Sequence, residues 1–192
     1  MRLEFDTEKE ANELAERKVS SEEVFGGKLM HVFLDTVTLP NGETATREYN
    51  RHVGAVAVVA LTDDGKVIVE RQFRYPLGKV ITEIPAGKLD GKDEDRLEAA
   101  KRELREETGI TADEWTALGD LYPTPAYTDE VITMFLARGL HYGERKLDED
   151  EFLNVIPVPL SELVEEIVSG KIADSKTQAA VLKTAFLLEK RR

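Results

Sequence analysis

The chain has no cysteine among its 192 residues. This absence excludes disulfides, thiolate metal sites and a cysteine nucleophile, and it suits a reducing compartment. Basic residues are also few, 26 against 38 acidic ones, which gives a net charge of −12 at pH 7. A surface of this sign repels nucleic-acid backbones and anionic membranes. We therefore expect neither as a partner, and an anionic substrate would need local cations.

Long hydrophobic runs are missing as well. No stretch approaches the roughly 18 apolar residues of a membrane span, and the N-terminal sequence MRLEFDTEKEANELAERK lacks the apolar core of a secretory signal. We expect a cytoplasmic protein. Its length suits one domain with a sizeable core and a small added element.

The first half of the chain is rich in strand patterns. Residues up to Lys18 suit a short helix or a frayed terminus, and residues 20–49 alternate apolar and polar side chains around a turn at residues 39–42. This predicts a small antiparallel sheet. An apolar run at residues 52–61 and, after a turn at residues 63–65, a strand at residues 66–74 then predict central strands of a larger sheet.

The second half mixes strands and helices. Strands are predicted at residues 81–86, 115–121, 131–140 and 154–159, and closing helices at residues 161–169 and 176–190. Without strict alternation or internal repeats, this order predicts an α+β architecture with helices over a mixed sheet.

An acidic helix is predicted within residues 87–110, GKLDGKDEDRLEAAKRELREETGI. Asp93 and Asp95 are candidate N-caps and Gly109 a stop signal. At about 100° per residue, three carboxylates lie beside an apolar stripe: Glu103, Glu106 and Glu107. Such crowding favours a compensating cation, and Mg²⁺ suits oxygen ligands. The sequence RELREE alone is more typical of a solvated surface helix.

The same segment resembles the Nudix box, GxxxxxExxxxxxxRE(apolar)xEExG(apolar), at Arg102, Glu103, Leu104, the two following glutamates, Gly109 and Ile110. It departs from the pattern at one place, because six residues rather than five separate Gly87 from Glu94. We interpret this as a one-residue loop insertion, and either Glu94 or Asp93 fills the first acidic position. The resemblance implies the Nudix fold, an α/β/α sandwich with a mixed sheet.

Other segments resemble the ADP-ribose pyrophosphatase branch of that superfamily: REYNRHVGAVAVVAL (47–61), ERQFRYPLG (70–78), EIPAGKL (83–89), YPTPAYTDE (122–130) and DEDEF (148–152). Pro125 lies where the branch carries a proline, and Ala126 replaces the glycine that often follows. The implied reaction is hydrolysis of ADP-ribose to AMP and ribose 5-phosphate, by water attack on phosphorus, with Mg²⁺ or, alternatively, Mn²⁺ as cofactor.

The resemblance also implies roles for single residues. Glu103, Glu107 and the Ala86 carbonyl would bind metal, Glu106 would share it, and Arg102 would orient Glu106. Glu149 or Glu151 would be the general base. Substrate-binding candidates are Arg47, Arg51, Arg74, Phe25, Tyr49, Tyr75, Gly87 and Pro125, although arginines and aromatics at strand positions are also common structural residues.

The branch forms homodimers through its N-terminal strands, which implies a division of this chain into a dimerisation element, residues 1–50, and a catalytic domain, residues 51–192. Two alternatives stay open. Another nucleoside diphosphate derivative could be the substrate, such as ADP-glucose, another nucleotide sugar, a dinucleoside polyphosphate or an oxidised nucleotide, or the chain could be a non-catalytic ADP-ribose-binding module.

Overall fold

The computed structural model describes residues 7–147 and 152–190. The chain forms two compact units. The first comprises Met1–His52 with Thr124–Asp129, and the second comprises Val53–Pro123 with Glu130–Arg192.

The N-terminal unit contains a short helix, α1 (Thr7–Leu14), and a three-stranded antiparallel sheet of β1 (Arg17–Gly26), β2 (His31–Thr38) and β3 (Thr44–Asn50), in that order. Gly42 adopts φ +86°, and its N–H donates to the Leu39 carbonyl at 2.9 Å in the β2–β3 turn. This confirms the small antiparallel sheet predicted from alternation. Every residue of β1 is exposed.

The second unit is built on a seven-stranded sheet with the order β10-β5-β4-β9-β8, where β6 pairs with β5 and β7 with β4. Its strands are β4 (Ala55–Leu61), β5 (Lys66–Arg74), β6 (Lys79–Glu83), β7 (Ala86–Lys88), β8 (Ile110–Leu121), β9 (Ile132–Tyr142) and β10 (Leu153–Pro159). The β4–β9 pair is parallel and the others are antiparallel. The predicted mixed sheet is therefore confirmed.

Helices cover both faces of this sheet: α2 (Arg96–Thr108) on one, and α3 (Leu160–Val168) with α4 (Ser175–Glu189) on the other. Strand β4 is buried along its whole length, so its side chains alternate between two cores. Val58 packs in the core with Leu104 of α2, and Val59 packs in the core with helices α3 and α4. This is the expected α/β/α sandwich. No helix in the described ranges is long and apolar enough to cross a membrane.

The predicted single strand at residues 81–86 was wrong. Strand β6 ends at Glu83 on β5, and β7 begins at Ala86 on β4. Pro85 has no N–H for a sheet ladder, and its carbonyl accepts a hydrogen bond from Val58 at 2.8 Å. The chain therefore changes its neighbouring strand at this proline.

Strand β8 starts earlier than the predicted residue 115. It begins at Ile110 because Gly109, with φ +73°, reverses the chain directly after α2. The ladder with β9 is irregular between Ala117 and Gly119. That glycine has φ +89°, as expected for a bulge.

Candidate active site

Helix α2 is fixed at both ends. Of the two predicted N-caps, Asp95 is the one used, and its carboxylate accepts hydrogen bonds from Leu97 and Glu98 at 2.9 and 3.0 Å. At the other end Gly109 donates to the Arg105 carbonyl at 2.8 Å. A side chain on Gly109 would contact the Gly143 carbonyl at 2.5 Å. Both ends therefore fix which way the carboxylates of the helix point.

Two of these carboxylates lie against strand β7. Glu107 is only 5% exposed, and its Oε2 accepts a hydrogen bond from Ala86 N–H at 3.0 Å. Glu103 lies so close to the main chain of Gly87 that a Cβ there would overlap its carboxylate. Residues four apart lie on the same helix face. The helix thus presents a pair of carboxylates to one short strand.

Arg102 binds the neighbouring acids. Its guanidinium donates to Glu94 at 3.2 Å, to Glu103 at 2.8 Å and to Glu106 at 3.1 Å, and also to the Lys88 carbonyl at 3.1 Å. Burial would lower the pKa of Arg102, but hydrogen bonds to Glu94 and Glu103 and the charge of Glu103 raise it above its ordinary value. The expected orienting contact with Glu106 is present.

Of Asp93 and Glu94, only Glu94 contacts Arg102 within the described residues. Its other oxygen accepts a hydrogen bond from Asp90 N–H at 2.6 Å. This main-chain bond, followed by the bond from Arg102, lowers the pKa of Glu94. The loop insertion therefore leaves Glu94 in contact with the box arginine.

The carboxylates beside β7 suit a hard divalent cation that takes only a few of its ligands from the protein. Within residues 7–147 and 152–190, no group of three or more acidic or histidine side chains is placed to hold a metal ion. Mg²⁺ commonly uses one or two carboxylates and completes its shell with water and substrate phosphates. Glu103 and Glu107 supply such a pair beside β7, so the residues fit this ion.

Arg74, at the end of β5, faces a buried acid. Its Nε and Nη2 donate to the two oxygens of Glu83 at 2.7 and 2.9 Å. These bonds to Glu83 contribute most to raising the pKa of Arg74, and the charges of Asp174 and Glu107 contribute further. The adjacent Tyr75 is 88% exposed.

A second group of predicted residues lies in the N-terminal unit. The guanidinium carbon of Arg51 is 3.9 Å from the centre of the Phe33 ring, and its Nη2 donates to the Tyr49 hydroxyl at 3.2 Å. Tyr49 stacks on Phe33 with centroids 5.9 Å apart and donates to Asp35 at 3.3 Å. The hydrogen bond with Tyr49 raises the pKa of Arg51. Phe33 and Asp35 were missed, although they lie two positions apart in β2 and therefore on the same face of the strand.

The other N-terminal candidates do not join this group. Arg47 forms an ion pair with Glu16, and Phe25 is exposed on β1. Pro125 is exposed in the segment Thr124–Asp129, where the Tyr127 carbonyl accepts a hydrogen bond from Asn50 at 2.9 Å.

Glu149 and Glu151, the candidate general bases, lie outside the described residues. The segment before them is bound to the end of α2. Gly143 N–H donates to the Gly109 carbonyl at 2.8 Å, and Lys146 N–H donates to the Glu106 carbonyl at 2.9 Å.

Sequence reasoning also missed a charged cluster at the start of α4. Asp174, Lys176 and Thr177 meet Glu83 and its neighbour Ile84 there. Two signals could have indicated it: a single charged residue in the mainly apolar segment ITEIPAG, and the helix start DSKT.

Comparisons with known proteins agree with this geometry. Residues 51–178 match the NUDIX domain family, and residues 16–50 match the nucleoside diphosphate sugar hydrolase N-terminal domain. The chain is 43% identical over 183 residues to an ADP-ribose pyrophosphatase of Bacillus subtilis, covering 92% of this chain and 98% of the relative. A methanol dehydrogenase activator of Bacillus methanolicus is 44% identical, with 86% and 90% covered. An ADP-ribose pyrophosphatase of Mycobacterium tuberculosis is 36% identical, with 85% and 80% covered.

A crystal structure of an ADP compounds hydrolase has the same fold, with a TM-score of 0.80 at 23% identity, covering 92% of this chain and 95% of the other. The matched domain spans the strand β7, the capped helix α2 and its carboxylates. The chain therefore belongs to the Nudix family.

Proposed function

We propose that this chain is a divalent-metal-dependent pyrophosphohydrolase that cleaves ADP-ribose to AMP and ribose 5-phosphate. The observation that carries the proposal is the placement of Glu103 and Glu107 against Gly87 and Ala86 of β7. The names of the relatives from Bacillus subtilis and Mycobacterium tuberculosis support the choice of substrate.

A bound Mg²⁺, or Mn²⁺, would neutralise pyrophosphate charge and help to deprotonate the attacking water. Glu103, Glu107 and the Ala86 carbonyl would hold the ion, and Glu106 would share it. Arg102 acts as a positioning residue, since its hydrogen bonds fix Glu103 and Glu106 relative to each other.

Arg74 binds the diphosphate in this proposal. A guanidinium carries five N–H donors, and two of those on Arg74 are used by Glu83. The remaining three suit phosphate oxygens, which arginine recognises with a planar fork. Arg51 and Tyr49, with Arg47, Phe25, Tyr75, Gly87 and Pro125, are the other proposed substrate contacts.

Glu149 or Glu151 is the proposed general base, which accepts the proton of the attacking water. Separate Glu149→Gln and Glu151→Gln variants distinguish them. The base is the residue whose loss reduces kcat by orders of magnitude.

We further propose a homodimer located in the cytoplasm. The support for a dimer is the fully exposed strand β1, which carries the apolar side chains of Val19, Val24 and Phe25. An exposed edge strand that carries apolar side chains is a ready surface for a second chain.

A second candidate is hydrolysis of another nucleoside diphosphate sugar, which the name of the family matching residues 16–50 favours. A non-catalytic binding module is less well supported, because all three box carboxylates are present.

The test is product release from ADP-ribose, ADP-glucose, GDP-mannose, NADH, diadenosine polyphosphates and 8-oxo-dGTP, each with Mg²⁺ and with EDTA. We expect metal-dependent turnover that is fastest with ADP-ribose. Reaction in ¹⁸O-labelled water should place the label in a phosphate of one product, as required for attack on phosphorus. Faster turnover of another sugar nucleotide would establish the second candidate, and no turnover of any compound would reject catalysis.

A further inference from the structure

We propose that Lys176, at the start of α4, is a positioning residue that acts through Glu83 to orient the Arg74 guanidinium toward the substrate diphosphate. This inference rests on the proposed function, which assigns Arg74 to the phosphates.

Glu83 is the centre of the arrangement. Its side chain is 4% exposed, whereas that of Arg74 is 41% exposed. The two hydrogen bonds between them use both carboxylate oxygens, so the guanidinium plane is fixed by a bidentate pair. The free part of the Arg74 fork therefore points in a direction that Glu83 determines.

Lys176 provides a second positive charge to the same carboxylate. Its ammonium contacts Glu83 Oε2 and lies 3.0 Å from Asp174 Oδ1, with the side chain only 11% exposed. Two carboxylates thus balance two cations. A buried acid is tolerated only when it is paired and hydrogen-bonded, and here Lys176 shares that task with Arg74.

The start of α4 is fixed to the strand segment that leads to the site. Asp174 caps the helix by accepting hydrogen bonds from the N–H and the hydroxyl of Thr177 at 2.9 and 2.6 Å. The same hydroxyl accepts a hydrogen bond from Ile84 N–H at 3.0 Å. Its own helix therefore holds Lys176 beside Glu83, which lies three residues before Ala86.

The second charge changes what Arg74 can do. With Lys176 present, Glu83 can orient Arg74 without being its only counter-ion, and three guanidinium N–H groups have no acceptor among the described residues. Without Lys176, Arg74 would be left as the main counter-ion of the buried Glu83 carboxylate. Glu83 would then hold the Arg74 guanidinium more strongly and draw it away from the substrate phosphate. We expect weaker substrate binding rather than slower chemistry.

The experiment compares Lys176→Met with Lys183→Met. Lys183 lies on the same helix but donates to the Leu118 carbonyl at 2.9 Å, so it is a matched control for the loss of a lysine. Losing a charged hydrogen bond corresponds to about 10-fold to 100-fold in affinity. Lys176→Met should raise the KM for ADP-ribose by roughly that factor with kcat changed by less than about threefold. Lys176→Arg should restore most of the KM, and Lys183→Met should leave it unchanged.

A double-mutant cycle with Arg74→Met then tests the route of the effect. If Lys176 acts through Arg74, Lys176→Met adds little in the Arg74→Met background. The inference would be overturned by fully additive effects of the two substitutions, or by a KM for Lys176→Met equal to that of Lys183→Met. Thermal melting checks each variant, and Lys176→Gln replaces Lys176→Met if the latter does not fold. Absence of turnover in the unsubstituted protein would instead reject the proposed function.

Discussion

Glu107 accepts a hydrogen bond from the main-chain N–H of Ala86 at 3.0 Å, although 21 positions separate the two residues in the sequence. The bond joins the last turn of α2 to the first residue of β7. One oxygen of the carboxylate is thereby directed by the backbone. The other proposed metal ligands, Glu103 and the Ala86 carbonyl, belong to the same two elements.

Glu107→Gln should keep the fold and remove metal-dependent activity. A glutamine oxygen can still accept the bond from Ala86 N–H, but the amide lacks the negative charge that binds a divalent cation. We expect kcat to fall by roughly 10²-fold or more, with an unchanged melting temperature in EDTA. Turnover near that of the unsubstituted protein would remove Glu107 from the metal site.

Gly87→Ala should disturb the site by steric overlap alone. Gly87 has no positive φ, but a Cβ there would overlap the Glu103 carboxylate. Moving a metal ligand typically reduces metal affinity, here by about 10-fold to 100-fold. Gly91→Ala is the control, because a Cβ at Gly91 meets nothing within 4 Å. Isothermal titration with Mn²⁺ measures both variants, and equal affinities would contradict the prediction.

The arrangement of α2 could be predicted from sequence because it depends on local spacing. The stop at Gly109 and the positions of Glu103 and Glu107 follow from helical periodicity and terminal residue types, whereas residue type alone left both Asp93 and Asp95 as candidate N-caps. The strand break at Pro85 was missed because it depends on which neighbouring strand the chain pairs with before and after the proline.

Long-range contacts of the site could not be predicted in this way. Lys176 meets Glu83 across 93 positions, and no periodicity in either segment specifies that meeting. The same limit applies to Phe33 and Asp35, which reach Arg51 and Tyr49 only through the pairing of β2 with β3.

The stability of the protein should depend on pH through Glu83. Burial raises the pKa of this carboxyl, but the hydrogen bonds from Arg74 and the charge of Lys176 outweigh burial and lower the pKa below its ordinary value. Asp174 and, across the ladder, Glu70 are the other acids nearby. A lowered folded-state pKa gives stability that is complete above the unfolded pKa and is lost as pH falls through the folded one.

Glu83→Gln should therefore destabilise the protein at neutral pH, by roughly 3 kcal/mol for a broken buried ion pair. The difference from the unsubstituted protein should shrink as the pH falls below about 4.5. Urea unfolding at several pH values measures this difference. Glu165→Gln, at an exposed position of α3, should show no such trend, and a constant difference for Glu83→Gln would refute the prediction.

The proposed homodimer makes a prediction about β1. Val24→Glu or Phe25→Glu would replace an exposed apolar side chain of β1 by a charge. We expect this to prevent association because a buried unpaired charge is costly. Light scattering at micromolar concentration should give twice the 21.5 kDa chain mass for the unsubstituted protein and a single chain mass for the variants. A monomeric unsubstituted protein would exclude the dimer.

Strand β4 has a further consequence for the precision of the site. It is buried throughout, and β7 pairs with it through Val56 opposite Gly87 and Ala57 opposite Ala86. Amides in such a strand exchange with solvent only when most of the domain opens. The backbone beside Glu103 and Glu107 is thus attached to the part of the fold that is expected to open last. The distance between these two carboxylates should therefore change little with thermal motion at the protein surface.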